Sequence, residues 1–383
     1  MKVGIVGASG AGLYLALGIK RKHPDWDVLL FDQADKVGKK LCATGNGHCN
    51  FLHKSPEPEA YNHSDFIKNS LDTYPFSNIE AFLSSFGVAY VERQGPGLLY
   101  PECFNAPAYV SYLKKWLDRL GVELRLGEKI IDYSGKGPYE LTTDKAKAIL
   151  DYLVFAVGGK ASPHLGSDGS LFPVFSRHGY RVITMAPGLC PIKVKERVAS
   201  LKGLRVQGEA VLLDGYGNVL FAERGEMLFK SDGLSGIVIM NLQAKWERLG
   251  APEDASIRFD LYPDMPLNDL EARFDSLLKA SPFALESVFE KPVLDYLGKT
   301  KGSHSVAYAA KNLVFHPLAS YGFKDAQVTL GGIDLSEINP LSLESKKEPG
   351  VYFAGECLDI NGKCGGYNLT WCLLSALMVV DAL

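Results

Sequence analysis

A glycine-rich turn near the N-terminus is the first place where residue types and spacing point to chemistry. Gly7, Ser9 and Gly12 follow the apolar run 2–6 and open an amphipathic segment. In the dinucleotide-binding fingerprint, three glycines serve the tight turn, the close approach of a pyrophosphate and the packing of helix on strand. Ser9 replaces the second glycine, and its N–H is still able to face a phosphate. Asp32 follows Gly12 by twenty residues, where an acid accepts ribose hydroxyls.

The number of such turns indicates which dinucleotide is held. A second glycine pair, Gly158 and Gly159, also ends an apolar strand, but Ser162 and Pro163 follow and leave no helix that opens on glycine. A helix N-terminus offers N–H groups and partial positive charge to one pyrophosphate. Because only one fingerprint is present, we expect a tightly held FAD rather than an NAD that exchanges.

The C-terminal region carries a second pattern that fits the same cofactor. The apolar run 350–354 leads to an acid, and a glycine pair opens a long apolar segment. In flavoproteins with two dinucleotide-binding domains, this region returns to the flavin, where the acid meets the ribityl chain and a helix N-terminus faces the ring. The expected contacts are Gly355, Glu356, Asp359, Gly365, Gly366, Tyr367 and Asn368.

Composition excludes several classes of protein. The 383 residues carry 41 Lys and Arg against 44 Asp and Glu, a net charge of −3. Neither sign forms a block, so we expect no nucleic-acid partner. No apolar run approaches the roughly 18 residues of a membrane-spanning helix. Seven scattered cysteines indicate reduced thiols in a cytoplasmic protein, and no metal site is predicted.

The periodicity of apolar residues places these motifs on an α/β framework. Residues 2–32 form a strand, helix and strand, which implies parallel strands with a right-handed crossover. The polar segment 33–50 is typical of a functional loop, and alternating runs after residue 187 indicate an antiparallel insertion. We predict helices near 64–72, 76–86, 106–120, 235–248, 267–280, 303–313 and 367–383, and strands over 122–126, 152–157, 206–213, 219–221 and 351–356.

Several motifs in one order resemble the flavoprotein family that includes aminoacetone oxidase and the 3-dehydro-bile acid reductase. The run 38–50, GKKLCATGNGHCN, is similar to that family's signature, and GLSG at 233–236, TLGGI at 329–333 and EINP at 337–340 follow in the same order. The resemblance covers essentially the whole chain. It implies an α/β fold with a discontinuous Rossmann-like FAD-binding domain, residues 1–187 and 313–383. An antiparallel β-barrel and a small helical subdomain, residues 188–312, are inserted as the substrate domain.

The resemblance also extends the expected cofactor site. In this family the loop from Thr44 to Asn50 runs along the flavin. Two departures bear on the substrate: His48 stands where the family usually has Arg, and Lys230, Ser231 and Asp232 replace a Thr-His pair that many members carry. The full set of expected FAD contacts is Gly7, Ser9, Gly10, Ala11, Gly12, Asp32, Gln33, Lys40, Thr44, Gly45, Asn50, Ile130, Ala156, Gly158 and Gly159, with the C-terminal residues named above.

The resemblance leaves two reactions open on a small-molecule substrate, each by hydride transfer to or from the flavin N5. One is the oxidation of a small amine, and the other is the reduction of a conjugated enone, for which NADH or NADPH must dock transiently as electron donor. A flavin-dependent tRNA-modifying protein and a non-catalytic redox sensor remain as alternatives. No oligomeric state is predicted.

Candidates for acid–base chemistry are few. His48 and Tyr367 are the candidates for a catalytic role, since both belong to segments expected near the flavin, and His304 and His316 are weaker. A flavin-linked disulfide is disfavoured because Cys42 and Cys49, like Cys357 and Cys364, are separated by six residues, whereas redox pairs in flavin disulfide reductases have two or four. We expect buried thiols instead.

Overall fold

The computed structural model describes all residues from Met1 to Leu383. Contacts divide the chain into two units, Met1–Ala186 with Gln327–Leu383, and Pro187–Ala326. None of the helices combines the length and the apolar character that crossing a membrane requires.

Twenty strands and eleven α-helices make up the chain. The strands are β1 Lys2–Val6, β2 Asp27–Asp32, β3 Leu52–His53, β4 Tyr90–Glu92, β5 Leu98–Pro101, β6 Glu123–Leu126, β7 Ile130–Gly135, β8 Tyr139–Thr143, β9 Lys147–Leu150, β10 Tyr152–Phe155, β11 Val182–Gly188, β12 Ile192–Val194, β13 Arg205–Leu213, β14 Val219–Phe229, β15 Gly233–Ser235, β16 Ser256–Asp260, β17 Leu313–Phe315, β18 Pro317–Ser320, β19 Val328–Ile333 and β20 Val351–Phe353. The helices are α1 Gly10–Lys22, α2 Lys39–Cys42, α3 Ser64–Thr73, α4 Phe76–Ser85, α5 Ala106–Arg119, α6 Phe172–Arg177, α7 Ile237–Arg248, α8 Leu267–Ala280, α9 Lys291–Thr300, α10 Val306–Lys311 and α11 Tyr367–Ala382.

A five-stranded parallel sheet forms the centre of the first unit. Its strand order is β20-β10-β1-β2-β6, and every neighbouring pair is parallel. Ile5 of β1 lies opposite Leu30 on one side and Val154 on the other. Central parallel strands are covered on both faces, which explains their continuous apolar runs. The predicted Rossmann-like domain is confirmed, and β20 shows that the C-terminal segment completes its sheet.

Two helices from opposite ends of the chain, α1 and α11, pack closely together in this unit. Residues 10–19 of α1 are all buried, as are most residues of α11 from Thr370 to Val380. A helix that is apolar all round is a buried one. Gly18 allows the close approach, since a Cβ there would lie 2.7 Å from Cγ2 of Val380.

An antiparallel sheet of seven strands forms the second unit. Its order is β17-β16-β13-β14-β15-β12-β18. The two terminal strands, β17 and β18, are consecutive in the chain and separated only by His316, so one bent segment joins both ends of the sheet and closes it as a barrel. This confirms the predicted inserted β-barrel. A small helical cluster beside it is built on Leu270, Phe274, Leu285 and Ala307.

The second unit is longer than the sequence pattern indicates. The predicted boundary at residue 313 differs from the structural division at Gln327, because β17 pairs with β16 and β18 pairs with β12. The helix expected over 303–313 is only α10, Val306–Lys311. Leu313 and Phe315 are buried on either side of the exposed Val314, which is the two-residue period of a strand.

Candidate functional site

The glycine turn between β1 and α1 is shaped by close backbone contacts. Gly7 has a φ of +107°, and its N–H donates to the carbonyl of Phe31 at 2.8 Å. A Cβ on Gly12 would lie 1.7 Å from the Gly7 carbonyl oxygen. Ser9 is the N-cap of α1, and its side chain makes no capping hydrogen bond. The N–H groups of the first turn, including Gly10 and Ala11, have no carbonyl partner within the helix.

Asp32 connects this turn to the end of β2. Its Oδ2 accepts from the N–H of Ala8 and its Oδ1 from the N–H of Ala34, both at 2.7 Å. Burial raises the pKa of the Asp32 carboxyl, and the two backbone donors oppose that effect. The sequence predicts an acid for ribose hydroxyls here, and each oxygen keeps a further lone pair for such a donor. Asp32 therefore fixes the turn in addition to any contact with a nucleotide.

A cleft with about 480 Å³ of empty space, open solvent included, lies beside this turn. Gln33 at its wall donates from Nε2 to the carbonyl of Gly166 at 2.7 Å, and the carbonyl of the buried Ala156 lies 2.2 Å from where a Cβ on Gly7 would be. Of the residues predicted to contact FAD, the cleft is lined by Gly7, Asp32, Gln33, Ile130 and Gly159.

A largely buried ion pair lies where three distant segments of the first unit meet. Lys40 Nζ is 2.7 Å from Glu356 Oε2, with the two side chains 20% and 17% exposed. The other oxygen, Oε1, accepts from the N–H of Thr329 at 2.8 Å. Gly355 has a φ of +72°, and a Cβ there would lie 3.0 Å from Cβ of Ala11. The turn before Glu356 thus contacts the N-terminus of α1.

Gly158 belongs to the same region. It has a φ of +70°, and a Cβ there would lie 3.8 Å from Glu356 Oε2. Its neighbour Gly159 packs on Thr329, whose hydroxyl accepts from the N–H groups of Lys160 and Ala161 at 2.7 and 3.0 Å. No sequence signal marked Thr329 for this role, because its partners are more than 160 residues away.

The loop from Thr44 to Asn50 is held at both ends. The Thr44 hydroxyl donates to the carbonyl of Leu41 at 2.7 Å. Gly45 has a φ of +55°, and a Cβ there would lie 2.8 Å from the N of Asn50. The Asn50 amide is oriented so that its oxygen accepts from the N–H of Gly366 and its nitrogen donates to two backbone carbonyls, all at 3.2 Å. The loop is thereby joined to the start of α11.

The residues before α11 form a compact turn. Gly365 and Gly366 have φ values of +123° and +83°, and a Cβ on Gly366 would lie 2.6 Å from the Leu52 carbonyl oxygen. The Asn368 amide accepts from the N–H of Gly362 and donates to its carbonyl, both at 2.9 Å. The buried Asp359 accepts from the N–H of Gly331 at 3.1 Å. The predicted C-terminal residues are therefore held by backbone groups of the same turn and of neighbouring segments.

Tyr367, one of the two catalytic candidates, is the first residue of α11. Its hydroxyl donates to Glu57, and that hydrogen bond lowers the pKa of the Glu57 carboxyl. Its ring stacks on His53 with centroids 4.6 Å apart. His53 is 8% exposed, and its Nδ1 has no hydrogen-bond partner. Neither His53 nor Glu57 was found from the sequence, since neither belongs to a recognisable motif.

His48, the other candidate, is fixed by Phe104. Its Nδ1 is 2.9 Å from the Phe104 carbonyl oxygen, and the two rings stack with centroids 4.1 Å apart. The weaker candidates belong to the second unit. There His304 stacks on Tyr308, and His316 is paired with Glu196 at 2.8 Å.

All seven cysteines are free thiols. Burial raises the pKa of Cys49 and of Cys357 to about 12, and that of Cys190 to about 11. A thiol reacts as its thiolate. We therefore expect that, at pH 8, Cys103 alone reacts quickly with a thiol reagent, because it is the exposed cysteine.

This expectation is checked by timed labelling of the native protein and mass spectrometry of its peptides. A Cys103→Ser variant serves as control and is expected to lose the fast phase. Fast labelling of Cys49 or Cys357, or a disulfide between Cys42 and Cys49 or between Cys357 and Cys364, would contradict the buried-thiol interpretation.

The arrangement as a whole fits a dinucleotide. The glycine cradle at Gly7 and Gly12 is one that a Cβ would fill. The N-terminus of α1 favours a pyrophosphate. The acids Asp32 and Glu356 lie at or just after the ends of two strands, β2 and β20, of the same parallel sheet. The predicted residues form one connected set, from the cleft at Gln33 to the turn at Tyr367. Such a set is able to hold an extended ligand with a phosphate near its middle.

Comparison with known proteins agrees with this geometry. The family model described as "HI0933-like protein Rossmann domain" matches residues 1–381. The chain is 29% identical to the 3-dehydro-bile acid delta(4,6)-reductase of Clostridium scindens, over 97% of this chain and 96% of that protein. It is 26% identical to the ribosomal RNA dihydrouridine synthase of Escherichia coli, over 97% and 95%. Its fold is similar to that of the 3-ketosteroid delta1-dehydrogenase of Sterolibacterium denitrificans, with a TM-score of 0.52, 12% identity and coverage of 99% and 98%.

Proposed function

The chain belongs to the HI0933-like Rossmann-domain family, and on that premise we propose that it is an FAD-dependent oxidoreductase. The reaction we propose is reduction of a carbon–carbon double bond that is conjugated with a carbonyl group, in a small ring compound. The observation that carries the proposal is the likeness to the bile acid reductase over nearly the full length of both chains. The glycine cradle between β1 and α1 supports the choice of cofactor.

The names of the relatives favour double-bond reduction over amine oxidation. A 3-dehydro-delta(4,6) bile acid carries a ketone conjugated with ring double bonds. Dihydrouridine differs from uridine by saturation of a ring double bond that is conjugated with a carbonyl. Saturation of such a bond adds a hydride to an electrophilic ring carbon conjugated with the carbonyl and a proton to its neighbour. This shared chemistry, more than either substrate, is what we transfer to this chain.

The chain's own residues would bind and orient the cofactor. FAD, when bound, supplies a two-electron hydride carrier. The first turn of α1 would bind the pyrophosphate, and Asp32 and Glu356 would accept hydroxyl groups of the ribose and the ribityl chain. Lys40 is paired with Glu356 Oε2 at 2.7 Å, which fixes the position of the carboxylate beside the turn at Gly355. NADH or NADPH, docking transiently, is the proposed source of the electrons.

A second candidate is supported by the dihydrouridine synthases, which act on ribosomal RNA by name. The charge of this chain favours the small molecule, because 41 basic residues face 44 acidic ones and RNA binding is dominated by phosphate contacts with Lys and Arg. We therefore propose the small-molecule substrate and test ribosomal RNA as the alternative.

We expect the purified protein to contain FAD and to be reduced anaerobically by NADH or NADPH. Mixing the reduced protein with 4-androstene-3,17-dione should reoxidise the flavin and saturate the steroid double bond. The matched saturated ketone, 5α-androstane-3,17-dione, has no conjugated double bond and should leave the flavin reduced. Absorbance of the flavin and mass spectrometry of the steroid measure the two outcomes.

Three results would argue against the proposal. A protein that binds no FAD overturns the cofactor. Reduction of the flavin by aminoacetone, with no reoxidation by any enone, indicates an amine oxidase. New dihydrouridine in ribosomal RNA, with no enone turnover, indicates the second candidate.

A further inference from the structure

His48 is held in one orientation by the backbone of another segment. Its Nδ1 lies 2.9 Å from the Phe104 carbonyl oxygen. A carbonyl only accepts, so Nδ1 carries a proton. The stacking of the imidazole on the Phe104 ring, at 4.1 Å with 13° between the planes, fixes the plane of the ring. Nε2 is thereby left on the opposite edge of a ring whose tautomer and orientation are both determined.

The two segments that hold His48 are also where the backbone is most unusual. Asn46, Cys49, Gln94 and Phe104 all have φ between +51° and +61°, and they are half of the eight non-glycine residues with positive φ in the chain. For a bulky residue such as Phe104 this conformation is a true outlier. Strained residues of this kind persist only where the surrounding contacts enforce the conformation, and they cluster at functional sites.

Contacts join these strained positions into one patch. The Tyr100 hydroxyl donates to Gln94 at 2.9 Å, and the Tyr100 and Phe104 rings lie 5.1 Å apart. The Arg93 guanidinium lies 5.0 Å from the Phe104 ring centre. The result is a cluster in which His48 stacks on Phe104, Arg93 lies over the Phe104 ring, and the buried Tyr100 is tilted against it by 55°.

The patch is joined to the expected cofactor site through its own loop. Asn50, two residues after His48, accepts from the N–H of Gly366 at the start of α11. A Cβ on Gly45 would lie 3.7 Å from the Tyr100 ring. The loop that presents His48 is thus fixed between α11 and the strained segment.

Other histidines of the first unit are paired with carboxylates or are buried. His63 is paired with Asp359 at 3.2 Å, and His178 lies between Asp132 and Glu348 at 3.2 and 3.0 Å. His53 is buried against Tyr367. His48 is instead half-buried, with its one ring hydrogen bond to a backbone carbonyl. That combination leaves Nε2 available for proton transfer.

We propose that His48 is the catalytic residue that protonates the substrate, an inference that rests on the proposed function. Hydride addition to the β-carbon moves the π electron pair of the substrate onto the carbonyl oxygen as an enolate. The enolate pair then forms a C–H bond at the α-carbon while the Nε2–H bond of the His48 imidazolium breaks. The neutral imidazole recovers its proton from water, and NADH or NADPH supplies the two electrons through the flavin.

Two different substitutions test this role, so that the result does not depend on the correct folding of a single variant. His48→Phe keeps a ring to stack on Phe104, and His48→Asn keeps an N–H for the Phe104 carbonyl. The matched control is His23→Phe, because His23 also stacks on an aromatic ring, that of Trp26 at 3.9 Å, but lies at the C-terminal end of α1. Each holoenzyme is reduced anaerobically and then mixed with 4-androstene-3,17-dione or, separately, with oxygen.

We expect reoxidation by the enone to slow by roughly 100-fold or more in both His48 variants, the range typical of a lost general acid. Reoxidation by oxygen and the FAD content should be unchanged, and His23→Phe should behave as the native protein. In deuterated water the native product should carry deuterium on one face of the α-carbon, whereas the slow product of the variants should be a mixture of both faces.

The outcomes separate the inference from the proposed function. If the native enzyme and both variants react with the enone at equal rates and with one stereochemistry, His48 is not the acid and the proposed function stands. If no enone reoxidises the native flavin, the proposed function fails and the assignment of His48 fails with it.

Discussion

Replacing Gly12 by valine is expected to deprive the protein of FAD. The Cβ alone would lie 1.7 Å from the carbonyl oxygen of Gly7, and valine adds two methyl groups to that clash. The opposing atom belongs to the backbone of the cofactor turn, so α1 has to move away from β1. Overpacking of this kind costs about 3 kcal/mol, and each 1.4 kcal/mol is a factor of ten in affinity. We expect FAD occupancy of about a tenth or less.

The measurement is the ratio of flavin to protein absorbance after purification, followed by titration with added FAD. Gly18→Ala is the control within the same helix, since its Cβ would meet the side chain of Val380 at 2.7 Å rather than the turn. This control is expected to lose stability by loosening α1 from α11 while it still retains FAD. Full FAD occupancy in Gly12→Val would overturn the assignment of the turn.

Truncating Trp371 to alanine is expected to have the largest effect on stability. Trp371 is 1% exposed and is the largest of the fully buried side chains. Removal of a buried Trp costs about 3–5 kcal/mol. Its indole N–H also donates to the carbonyl of Gly355 at 3.0 Å, so the turn that presents Glu356 loses an anchor. We expect a lower midpoint of chemical unfolding together with weaker binding of FAD.

Trp371→Phe separates the hydrogen bond from the packing. It retains most of the buried volume but removes the indole donor, so that the Gly355 carbonyl keeps only the N–H of Leu358 at 3.3 Å, for a cost of about 0.5–1.5 kcal/mol. Trp26→Ala is the second control, because Trp26 is only half-buried and stacks on Tyr152 at 5.6 Å. Equal losses of stability in Trp371→Ala and Trp26→Ala would contradict the role given to Trp371.

The framework of the cofactor domain could be predicted because its signals are local. The run of β1, the turn at Gly7 and the buried helix α1 follow each other within twenty-two residues, and each has a characteristic period or composition. The C-terminal return was also predictable, since glycine pairs and an apolar helix mark it. The boundary predicted at residue 313 differs from the contact division at Gln327, because strands of three and four residues such as β17 and β18 give only a weak periodic signal.

The contacts that hold the site could not be predicted, since they join residues far apart in the chain. Lys40 and Glu356 are separated by 316 positions, and the sequence shows only that one is basic and the other acidic. Asp32 was expected to face a ribose, and nothing in its neighbours indicated that both of its oxygens accept backbone N–H groups. The stacking of His48 on Phe104 depends on a strained backbone that no sequence rule predicts for phenylalanine.

The strand order β20-β10-β1-β2-β6 also determines when the parallel sheet is completed during protein synthesis. The ribosome makes β10 first, then the entire second unit, and only afterwards β20. Throughout that interval β10 presents an apolar edge with no partner, which is a template for association with other chains. The second unit is continuous and has its own core, so it is free to fold while synthesis continues. Capture of the flavin is therefore among the last events in the making of this protein, and a chain interrupted before β20 has no complete sheet to receive it.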